Sequence, residues 1–394
     1  MGFNHFFDSF VSDPLNIFIS ILFVFYLLTY IEYYFGSKSI KNLKDFPPTK
    51  VDDPPFISFI IPARNEGKKI KEALSSVLAL DYPRYEVIAI NDRSDDSTGR
   101  ILNDLSAINS HLKVVHITSL PPGWLGKNYA LDYGAKNASG KYFIFTDADV
   151  VFKPDTLNRV LEYIKQNNTD HLAMAPSHVF KKTLLTAVIC IFEFLFMVKF
   201  KPWKVANPKS KYFIGIGSFN MITADAYKNT GGFETLRMRP DDDIMLGKLV
   251  KKSGYRSNFV YAPEQLSIEW YQSVGEMIRA FYKNTYSGFN YSLLNAVPSI
   301  FMLIVLSTLP YISLFFLSGI SLIIDGAILV IIFLIYLLLT KANGISIFYF
   351  LTYPVACSII AYLMIRSVFL SVIRGGVDWR GTFYSLKELK SNKV

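Results

Sequence analysis

Hydrophobic residues in this chain form long unbroken runs near both ends and short runs in between. Residues 15–34 are apolar apart from Glu32. A helix rises about 1.5 Å per residue, so about 20 apolar residues are needed to cross a bilayer. The pattern predicts a transmembrane anchor over residues 15–35, after an N-terminal segment (1–14) and before a linker (36–55).

The charges that flank this run predict its orientation. Asp8 and Asp13 precede it without any Lys or Arg, whereas Lys38, Lys41 and Lys44 follow it. The positive-inside rule places the N-terminus outside the cytoplasm and the following chain in the cytosol. The alternative, a cleaved signal peptide, fits less well because no basic region precedes the long run. From this orientation, and from the apolar blocks near the C-terminus that are described next, we expect a multi-pass protein of the inner cell membrane.

Three apolar blocks close the chain, at residues 298–324, 327–340 and 344–365. Asp325-Gly326 and residues 341–344 are typical of turns between them. The blocks predict a C-terminal transmembrane region over residues 293–373, with two or three spans. Three full crossings would leave the tail, residues 374–394, outside, yet its basic residues favour the cytosol. Either one block is re-entrant or interfacial, or the tail breaks the rule.

A further apolar stretch, residues 184–200, lies inside the polar part of the chain and contains Glu193 and Lys199. It is short for a span. We expect a helix that lies on the bilayer surface or covers the site, with a plain core helix as the alternative.

The middle of the chain, residues 56–292, alternates short apolar runs with segments of helical spacing. The runs predict strands at residues 56–61, 85–90, 113–117 and 142–146, with helices between and after them. This alternation predicts parallel β-α-β units and an open α/β sheet. In such sheets the ligand binds at the carboxyl ends of the strands.

Composition narrows the class of protein. The chain is 51% hydrophobic and 19% charged, with a net charge of +9, which excludes a disordered chain. Two cysteines exclude a disulfide framework and a cysteine-rich zinc site. The positive charge indicates cytosolic flanks and anionic lipid. Because the basic residues are scattered, we expect no nucleic-acid partner.

Polar loops follow three of the predicted strands, at residues 61–66, 91–98 and 146–150. In the second loop, Asp96 and Ser97 are equally well explained as caps of the next helix. In the third loop, Asp147 and Asp149 follow the fourth strand directly. Two carboxylates in that position suit a divalent cation such as Mg²⁺, which takes one or two carboxylates and completes its shell with phosphate and water.

A glycine-rich turn, residues 215–220, is followed by a helix that opens with Asp241, Asp242 and Asp243. Acidic residues in a first turn suit the helix dipole, so capping alone is one interpretation. Three in a row exceed what a cap needs. Their crowding should raise at least one pKa, which is useful in a general base.

Together these motifs resemble the membrane-bound glycosyltransferases of family 2. The resemblance implies a GT-A fold, a Rossmann-like and mostly parallel sheet domain, with one N-terminal and two to three C-terminal transmembrane helices. It also implies a nucleotide-sugar donor, a UDP-sugar being preferred, and Mg²⁺ or Mn²⁺. The implied donor residues are Pro62, Asn65 and Glu66, which line the nucleotide pocket, Asp92, which contacts the base, and Asp147. Asp149, with Asp147 nearby, would bind the metal, and Asp243, with Asp242 beside it, would be the catalytic base; Asp241 offers an alternative register.

One subgroup is more similar. Residues 121–128 (Pro-Pro-Gly-Trp-Leu-Gly-Lys-Asn) and Trp379-Arg380-Gly381 resemble the hopene-associated and carotenoid (diaponeurosporenoate) glycosyltransferases. This implies a lipid or polyisoprenoid acceptor. Within that resemblance, Lys127 would bind the donor. The residues expected on the acceptor side are Trp124, Gly217 and Ser218.

The Gln-x-x-Arg-Trp signature of processive synthases is absent, since no tryptophan follows an arginine. The corresponding helix carries Arg279 and Lys283, which are one turn apart and could face the donor diphosphate. A basic helix on anionic lipid is an equally good interpretation of these two residues. We expect inverting transfer of a single sugar. The alternatives are a processive polysaccharide synthase and a non-catalytic membrane scaffold.

Overall fold

The computed structural model describes residues 13–50 and 52–392. Asp8, most of the predicted N-terminal segment and Lys393 lie outside the described residues. The chain divides into two compact units. A helical unit comprises residues 13–38, Lys181–Lys199 and Gln272–Ser371, and a globular unit comprises Ser39–Phe180, Phe200–Tyr271 and the chain from Val372 onwards.

The elements are numbered in chain order. The strands are β1 (Ile57–Ala63), β2 (Tyr85–Asp92), β3 (Leu112–Ile117), β4 (Tyr142–Phe145), β5 (Val150–Phe152), β6 (His171–Ala175), β7 (Ser177–His178), β8 (Asn220–Thr223), β9 (Ser257–Tyr261), β10 (Leu266–Ile268), β11 (Gly376–Trp379) and β12 (Thr382–Ser385). The α-helices are α1 (Pro14–Ser39), α2 (Ile70–Leu78), α3 (Thr98–Ser106), α4 (Gly126–Lys136), α5 (Thr156–Asn167), α6 (Thr183–Phe200), α7 (Ala224–Thr230), α8 (Gly232–Thr235), α9 (Asp242–Lys252), α10 (Val274–Thr285), α11 (Leu293–Ile312), α12 (Gly319–Asn343), α13 (Tyr353–Ile373) and α14 (Leu386–Ser391).

The globular unit is built on a seven-stranded sheet in the order β3-β2-β1-β4-β8-β6-β9. Strands β1, β2, β3 and β4 are parallel to one another, and only β8 runs antiparallel to its neighbours β4 and β6. The predicted mostly parallel α/β sheet is therefore confirmed. A smaller sheet has the order β5-β10-β7, and β11 and β12 form a hairpin.

Both faces of the central sheet are buried, which explains why its strands are near-continuous apolar runs. In β1, Phe59 and Ile61 join one hydrophobic cluster, whereas Ile60 joins the other. In β2, Val87 and Ile88 divide in the same way. Successive side chains of a strand point to opposite faces, so helices cover both sides. The polar residues that follow β1, β2 and β4 are thereby left at one edge.

The helical unit contains long apolar helices. Among the described residues, five helices are long and apolar enough to cross a membrane: Pro14–Ser39, Thr183–Lys204, Leu293–Phe315, Gly319–Asn343 and Ile347–Ile373. One is N-terminal and three are C-terminal, as predicted. The second of them contains the predicted surface or core helix, whose placement on a bilayer stays a prediction.

The predicted turn at Asp325-Gly326 is wrong, because both residues lie inside α12. The chain turns earlier, around residues 313–318, after the short 3₁₀ segment Ser313–Phe315. Asp325 is fully buried and accepts a hydrogen bond of 2.7 Å from the Ser313 hydroxyl. A polar residue can remain within an apolar helix when it finds such a partner, and this one therefore does not break the helix.

Candidate active site

The loop after β4 and the start of α9 meet at Gly217. A Cβ atom at this glycine would lie 2.6 Å from Asp147 Oδ2 and 3.4 Å from Asp243 Oδ2. The Asp147 amide also donates a 3.0 Å hydrogen bond to the Gly217 carbonyl. A side chain at this position would force the Asp147 carboxylate to shift. Two acidic segments that are distant in sequence are therefore brought together at the carboxyl end of β4.

Lys127 links the two acidic segments. Its Nζ lies 2.9 Å from Asp147 Oδ1 and 3.3 Å from Asp242 Oδ2. The lysine is in the first turn of α4, the helix that begins within the predicted motif 121–128. Burial lowers the pKa of Lys127, but the carboxylates of Asp147, Asp242 and Asp243 outweigh it and raise the pKa overall. The ammonium group is therefore charged and partly neutralises a cluster of carboxylates.

Asp149 lies on the same loop and faces a second lysine. Lys69 Nζ is 3.3 Å from Asp149 Oδ2 and donates a 2.6 Å hydrogen bond to the Glu269 carbonyl. Burial, with the charge of Asp147, raises the pKa of Asp149 to about 6, although Lys69 opposes the shift. A cation bound next to Asp149 would favour the ionised form of this carboxylate.

The donor set of this loop fits a hard divalent cation. Asp147 and Asp149 supply two carboxylates, and among the described residues there is no group of three His, Cys, Asp or Glu that could hold a metal. Mg²⁺ and Mn²⁺ accept such a set when phosphate oxygens and water complete the shell, whereas a structural zinc site needs four protein ligands. Asp147 and Asp149 could therefore hold Mg²⁺ or Mn²⁺ in the presence of a phosphorylated ligand.

The three consecutive aspartates differ in their surroundings. Asp241 is buried and forms a bidentate pair with Arg239, at 2.9 Å and 2.6 Å, which indicates a structural role. Asp242 is buried and pairs with Lys127. Asp243 is partly exposed, and burial together with Asp242 raises its pKa to about 7. Of the three, Asp243 has the properties of a general base.

A buried polar chain fixes the backbone of Asp243. The Asn220 side-chain amide donates a 3.1 Å hydrogen bond to the Asp243 carbonyl. The Asn220 oxygen must then accept from His171 Nε2, and Nδ1 of the neutral histidine accepts from the Ser257 hydroxyl. Burial lowers the pKa of His171 to about 4, consistent with that state. The sequence analysis does not predict this series of hydrogen bonds, although Asn220 ends the glycine-rich turn.

The loops after β1 and β2 bind each other. The Asn65 amide donates to the Ser94 hydroxyl at 3.0 Å, and the Glu66 amide donates to the Thr98 hydroxyl at 2.8 Å. Asp96 accepts at 2.9 Å from the amides of both Thr98, the first residue of α3, and Gly67, whereas Ser97, the N-cap residue, makes no side-chain capping bond. Asn65 and Glu66 therefore stand on a loop that is fixed against its neighbour, whereas Pro62 lies within β1.

Asp92 lies buried at the end of β2 and is held by two arginines. Arg93 makes a bidentate contact at 2.7 Å and 3.1 Å, and Arg64 lies 3.8 Å away. A Cβ atom at Gly126 would lie only 2.4 Å from Asp92 Oδ2. The glycine thus allows the N-terminus of α4 to approach this carboxylate. Sequence reasoning singled out Asp92 but missed the arginine pair.

The remaining predicted residues have less direct places. Trp124 is buried beneath the Arg237 guanidinium, 4.9 Å from its ring centroid. Ser218 is buried next to Gly217, and its carbonyl accepts a 2.7 Å hydrogen bond from Thr146. Arg279 and Lys283 lie on α10, which belongs to the helical unit. The functional roles of all four residues stay predictions.

Comparison with known proteins bears on the class of this fold. Residues 58–230 match the sequence model of the family described as glycosyl transferase family 2. This part of the chain, which is less than half of it, is similar to family 2 glycosyltransferase domains. The matched range runs from β1 to α7 and includes both aspartates of the Asp-x-Asp loop. The predicted enzyme class and the GT-A fold are confirmed; the carotenoid subgroup is not decided by this match.

Relatives of this glycosyltransferase domain occur among bacterial synthases. The poly-beta-1,6-N-acetyl-D-glucosamine synthase of Staphylococcus epidermidis is 33% identical over 144 residues, which is 36% of this chain and 34% of that protein. The synthase of the same name from Staphylococcus aureus is 25% identical over 263 residues, or 64% of this chain and 61% of the relative. The chain thus spans between a third and three fifths of these relatives.

A mannosyltransferase from Pyrobaculum calidifontis, solved with GDP-Man and Mn²⁺, shares the fold. The TM-score is 0.54 with 18% identity, and the match covers 91% of this chain and 99% of the other. At this identity the likeness concerns the fold alone.

Proposed function

We propose that this chain transfers one sugar, with inversion, from a nucleotide-sugar donor to a hydroxyl or carboxylate of a lipid or polyisoprenoid acceptor. The observation that carries the proposal is the convergence of Asp147 and Asp243 around Gly217 and Lys127, with Asp149 on the same loop as Asp147. A glycosyltransferase needs charge stabilisation at the leaving diphosphate and a base at the acceptor. The loop after β4 would supply the charge stabilisation, and the start of α9 would supply the base.

In the proposed reaction, Asp243 takes the proton from an acceptor hydroxyl, whose oxygen attacks the anomeric carbon; an acceptor carboxylate carries no proton and attacks directly. The bond from that carbon to the donor phosphate breaks, and the nucleoside diphosphate leaves. A single displacement of this kind inverts the anomeric configuration. The raised pKa of Asp243, about 7, suits a base that works near neutral pH.

The donor is expected to lie along the same edge of the sheet. Glu66 and Asp92 would hold the nucleoside, while Asp149 with Asp147 would hold Mg²⁺ or Mn²⁺. When bound, such a cation neutralises charge that grows on the leaving diphosphate. The mannosyltransferase of similar fold was solved with a nucleotide sugar and Mn²⁺, which is consistent with this assignment.

The proposal also concerns the side of the membrane. The tail from Val372 onwards belongs to the same globular unit as β1–β10. The chain between Gln272 and Ser371 would then cross the bilayer an even number of times, so one of its three apolar helices would not span fully. Helix α6 would not span either, because the chain before it and the chain after it both belong to the globular unit. With this arrangement the basic tail and the catalytic domain would both lie in the cytosol, in agreement with the positive-inside rule.

A processive polysaccharide synthase is the second candidate, favoured by the names of the staphylococcal relatives. The missing Gln-x-x-Arg-Trp signature and the motifs shared with the hopene-associated and carotenoid enzymes favour single transfer to a lipid. Product size separates the two candidates: a processive enzyme makes long chains, whereas the proposed enzyme adds one sugar.

The test offers the purified full-length chain a panel of UDP- and GDP-sugars with membrane lipid extract, and identifies products by mass. Wild-type protein should form a glycolipid that is one sugar heavier than its acceptor. Asp243→Asn should form none while still binding the donor. Asp225→Asn, at an exposed carboxylate of α7, is the matched control and should retain activity. Equal turnover by Asp243→Asn and wild type would refute the assigned base.

A further inference from the structure

The C-terminal tail folds back onto the globular unit as a hairpin and a short helix. Within the hairpin, Val377 pairs with Tyr384, and both side chains are buried, at 2% and 7% exposure. The opposite face carries Asp378 and Phe383, which are exposed. An amphipathic pattern of this kind identifies a strand pair packed on a surface. The basic tail of the sequence is therefore a folded element.

The tip of the hairpin contacts the loop after β1. Arg380 Nη2 donates a 2.8 Å hydrogen bond to Glu66 Oε1, and its Nη1 donates to the Arg64 carbonyl. Both partners belong to the loop assigned here to the nucleoside. The contact joins residues separated by 314 positions in the chain. An arginine fork that engages a side chain and a backbone carbonyl fixes the loop at two points.

The backbone of Arg380 is unusual for its residue type. Arg380 has φ of 47° and Gly381 has φ of 79°. Two successive positive φ values match the two-residue turn that suits hairpin twist, where Asn or Asp is preferred at the first position. An arginine in this region is strained. Its side chain is used for the Glu66 contact, so the strain coincides with a specific interaction.

The second strand of the hairpin reaches the residues at the end of β2 and the first residue of α4. Burial raises the pKa of Tyr384, and the Gly126 amide, which donates toward its hydroxyl, opposes that rise. The charges of Arg93 and Asp92 also act on this hydroxyl. Tyr384 therefore stands at the N-terminus of α4, beside Asp92, the carboxylate assigned to the nucleoside.

The end of the tail is anchored near the acidic segment. The Asn392 oxygen accepts a 2.9 Å hydrogen bond from the Met238 amide, and its amide donates at 2.9 Å to the Thr235 carbonyl. These residues precede Arg239 and the three aspartates. The tail thus contacts the surroundings of the nucleoside loops at one end and of the catalytic segment at the other.

We propose that the hairpin Gly376–Ser385 forms a wall of the site for the nucleoside diphosphate, with Arg380 as a positioning residue that acts through Glu66. The inference rests on the proposed function, since it assumes a nucleoside diphosphate on the loops after β1 and β2. Arg380 holds Glu66 and the Arg64 backbone in place before the ligand arrives. Its loss should weaken donor binding and leave the chemical step nearly unchanged.

The test compares Arg380→Ala, Arg380→Lys and Arg374→Ala in the full-length chain. Arg374 is the matched control, because it pairs with Asp378 in the exposed part of the same tail, at 3.1 Å. Arg380→Ala should raise KM for the donor about tenfold with kcat within about twofold, as expected for a change in binding alone. Arg380→Lys should recover part of the loss, since it keeps the charge without the fork. Arg374→Ala should leave KM and kcat unchanged.

A measurement on the wild type keeps the inference testable if Arg380→Ala does not fold. Saturating UDP or GDP should slow amide hydrogen exchange in residues 376–385, the peptide that covers the pocket. An unchanged KM in Arg380→Ala overturns the inference. Unchanged exchange in a protein that demonstrably binds UDP or GDP does the same. If neither nucleotide binds and no sugar is transferred, the proposed function itself fails, which is a distinct result.

Discussion

Lys127 is expected to stabilise the acidic cluster, and its removal tests the electrostatics of the site. Lys127→Met keeps the length of the side chain and removes the charge. At an effective dielectric constant of about 20, unit charges 2.9 Å and 3.3 Å apart attract by about 5–6 kcal/mol per pair. Desolvation of the charged groups offsets most of this attraction. Loss of one partner from a buried pair costs about 3–5 kcal/mol.

Partial exposure reduces the expected value. The Lys127 side chain is 24% exposed and that of Asp147 is 38% exposed, so water can replace part of the lost interaction. We expect Lys127→Met to lower the free energy of unfolding by about 2–3 kcal/mol. Because Lys127 also lowers the pKa of Asp243, the variant should shift the acidic limb of the kcat/KM profile to higher pH.

Thermal unfolding of the purified variants measures the stability effect. Lys136→Met is the control, because Lys136 also contacts two carboxylates, at 2.8 Å and 3.2 Å, but is 61% exposed. It should lose about 1 kcal/mol or less. Equal destabilisation of the two variants, or an unshifted pH profile in Lys127→Met, would refute the electrostatic reasoning.

Three further predictions concern the carboxylates. Asp243→Asn should have a free energy of unfolding about 1–2 kcal/mol higher than wild type at pH 8, because a carboxylate with a raised pKa is unfavourable when ionised. Urea unfolding should show that this difference shrinks as the pH falls below 7, since Asp243 of the wild type then takes up its proton. Binding of Mn²⁺ should weaken as the pH falls through about 6, because protons then compete for Asp149; calorimetric titration from pH 5 to 8 would show it, and a flat profile would exclude Asp149 as a ligand. Arg239→Ala should lower the free energy of unfolding by about 3 kcal/mol, since it leaves Asp241 buried without its partner; an unchanged melting temperature would show that this pair is not structural.

The sheet could be predicted from the sequence because its strands are buried on both faces. Runs such as residues 85–90 carry their own signal, and the strand found there, β2, extends only two residues further, to Asp92. The positions of the loops after β1, β2 and β4 follow from parallel topology alone. The family resemblance added the roles of those loops, which no periodicity contains.

The rest depended on contacts between distant segments. Asp241 and Asp243 look alike in the sequence, and they differ only in the fold, where Arg239 pairs with Asp241 while the distant Lys127 acts on Asp243. Asp325 was read as a turn because its partner, Ser313, lies on another element. Arg380 belongs to a motif on which the family resemblance rests, but its contact with Glu66 exists only in the folded chain. Side chains that act through tertiary partners carry no sequence period that could reveal them.

The central claim is that the Asp-x-Asp loop and the start of α9 form one site for a cation and a nucleoside diphosphate. Its most direct test is electron paramagnetic resonance of Mn²⁺ titrated into the full-length chain with UDP or GDP. The account predicts nucleotide-dependent Mn²⁺ binding in wild type and Asp243→Asn, and its loss in Asp149→Ala, while only wild type transfers sugar. Undiminished nucleotide-dependent Mn²⁺ binding by Asp149→Ala would contradict the account.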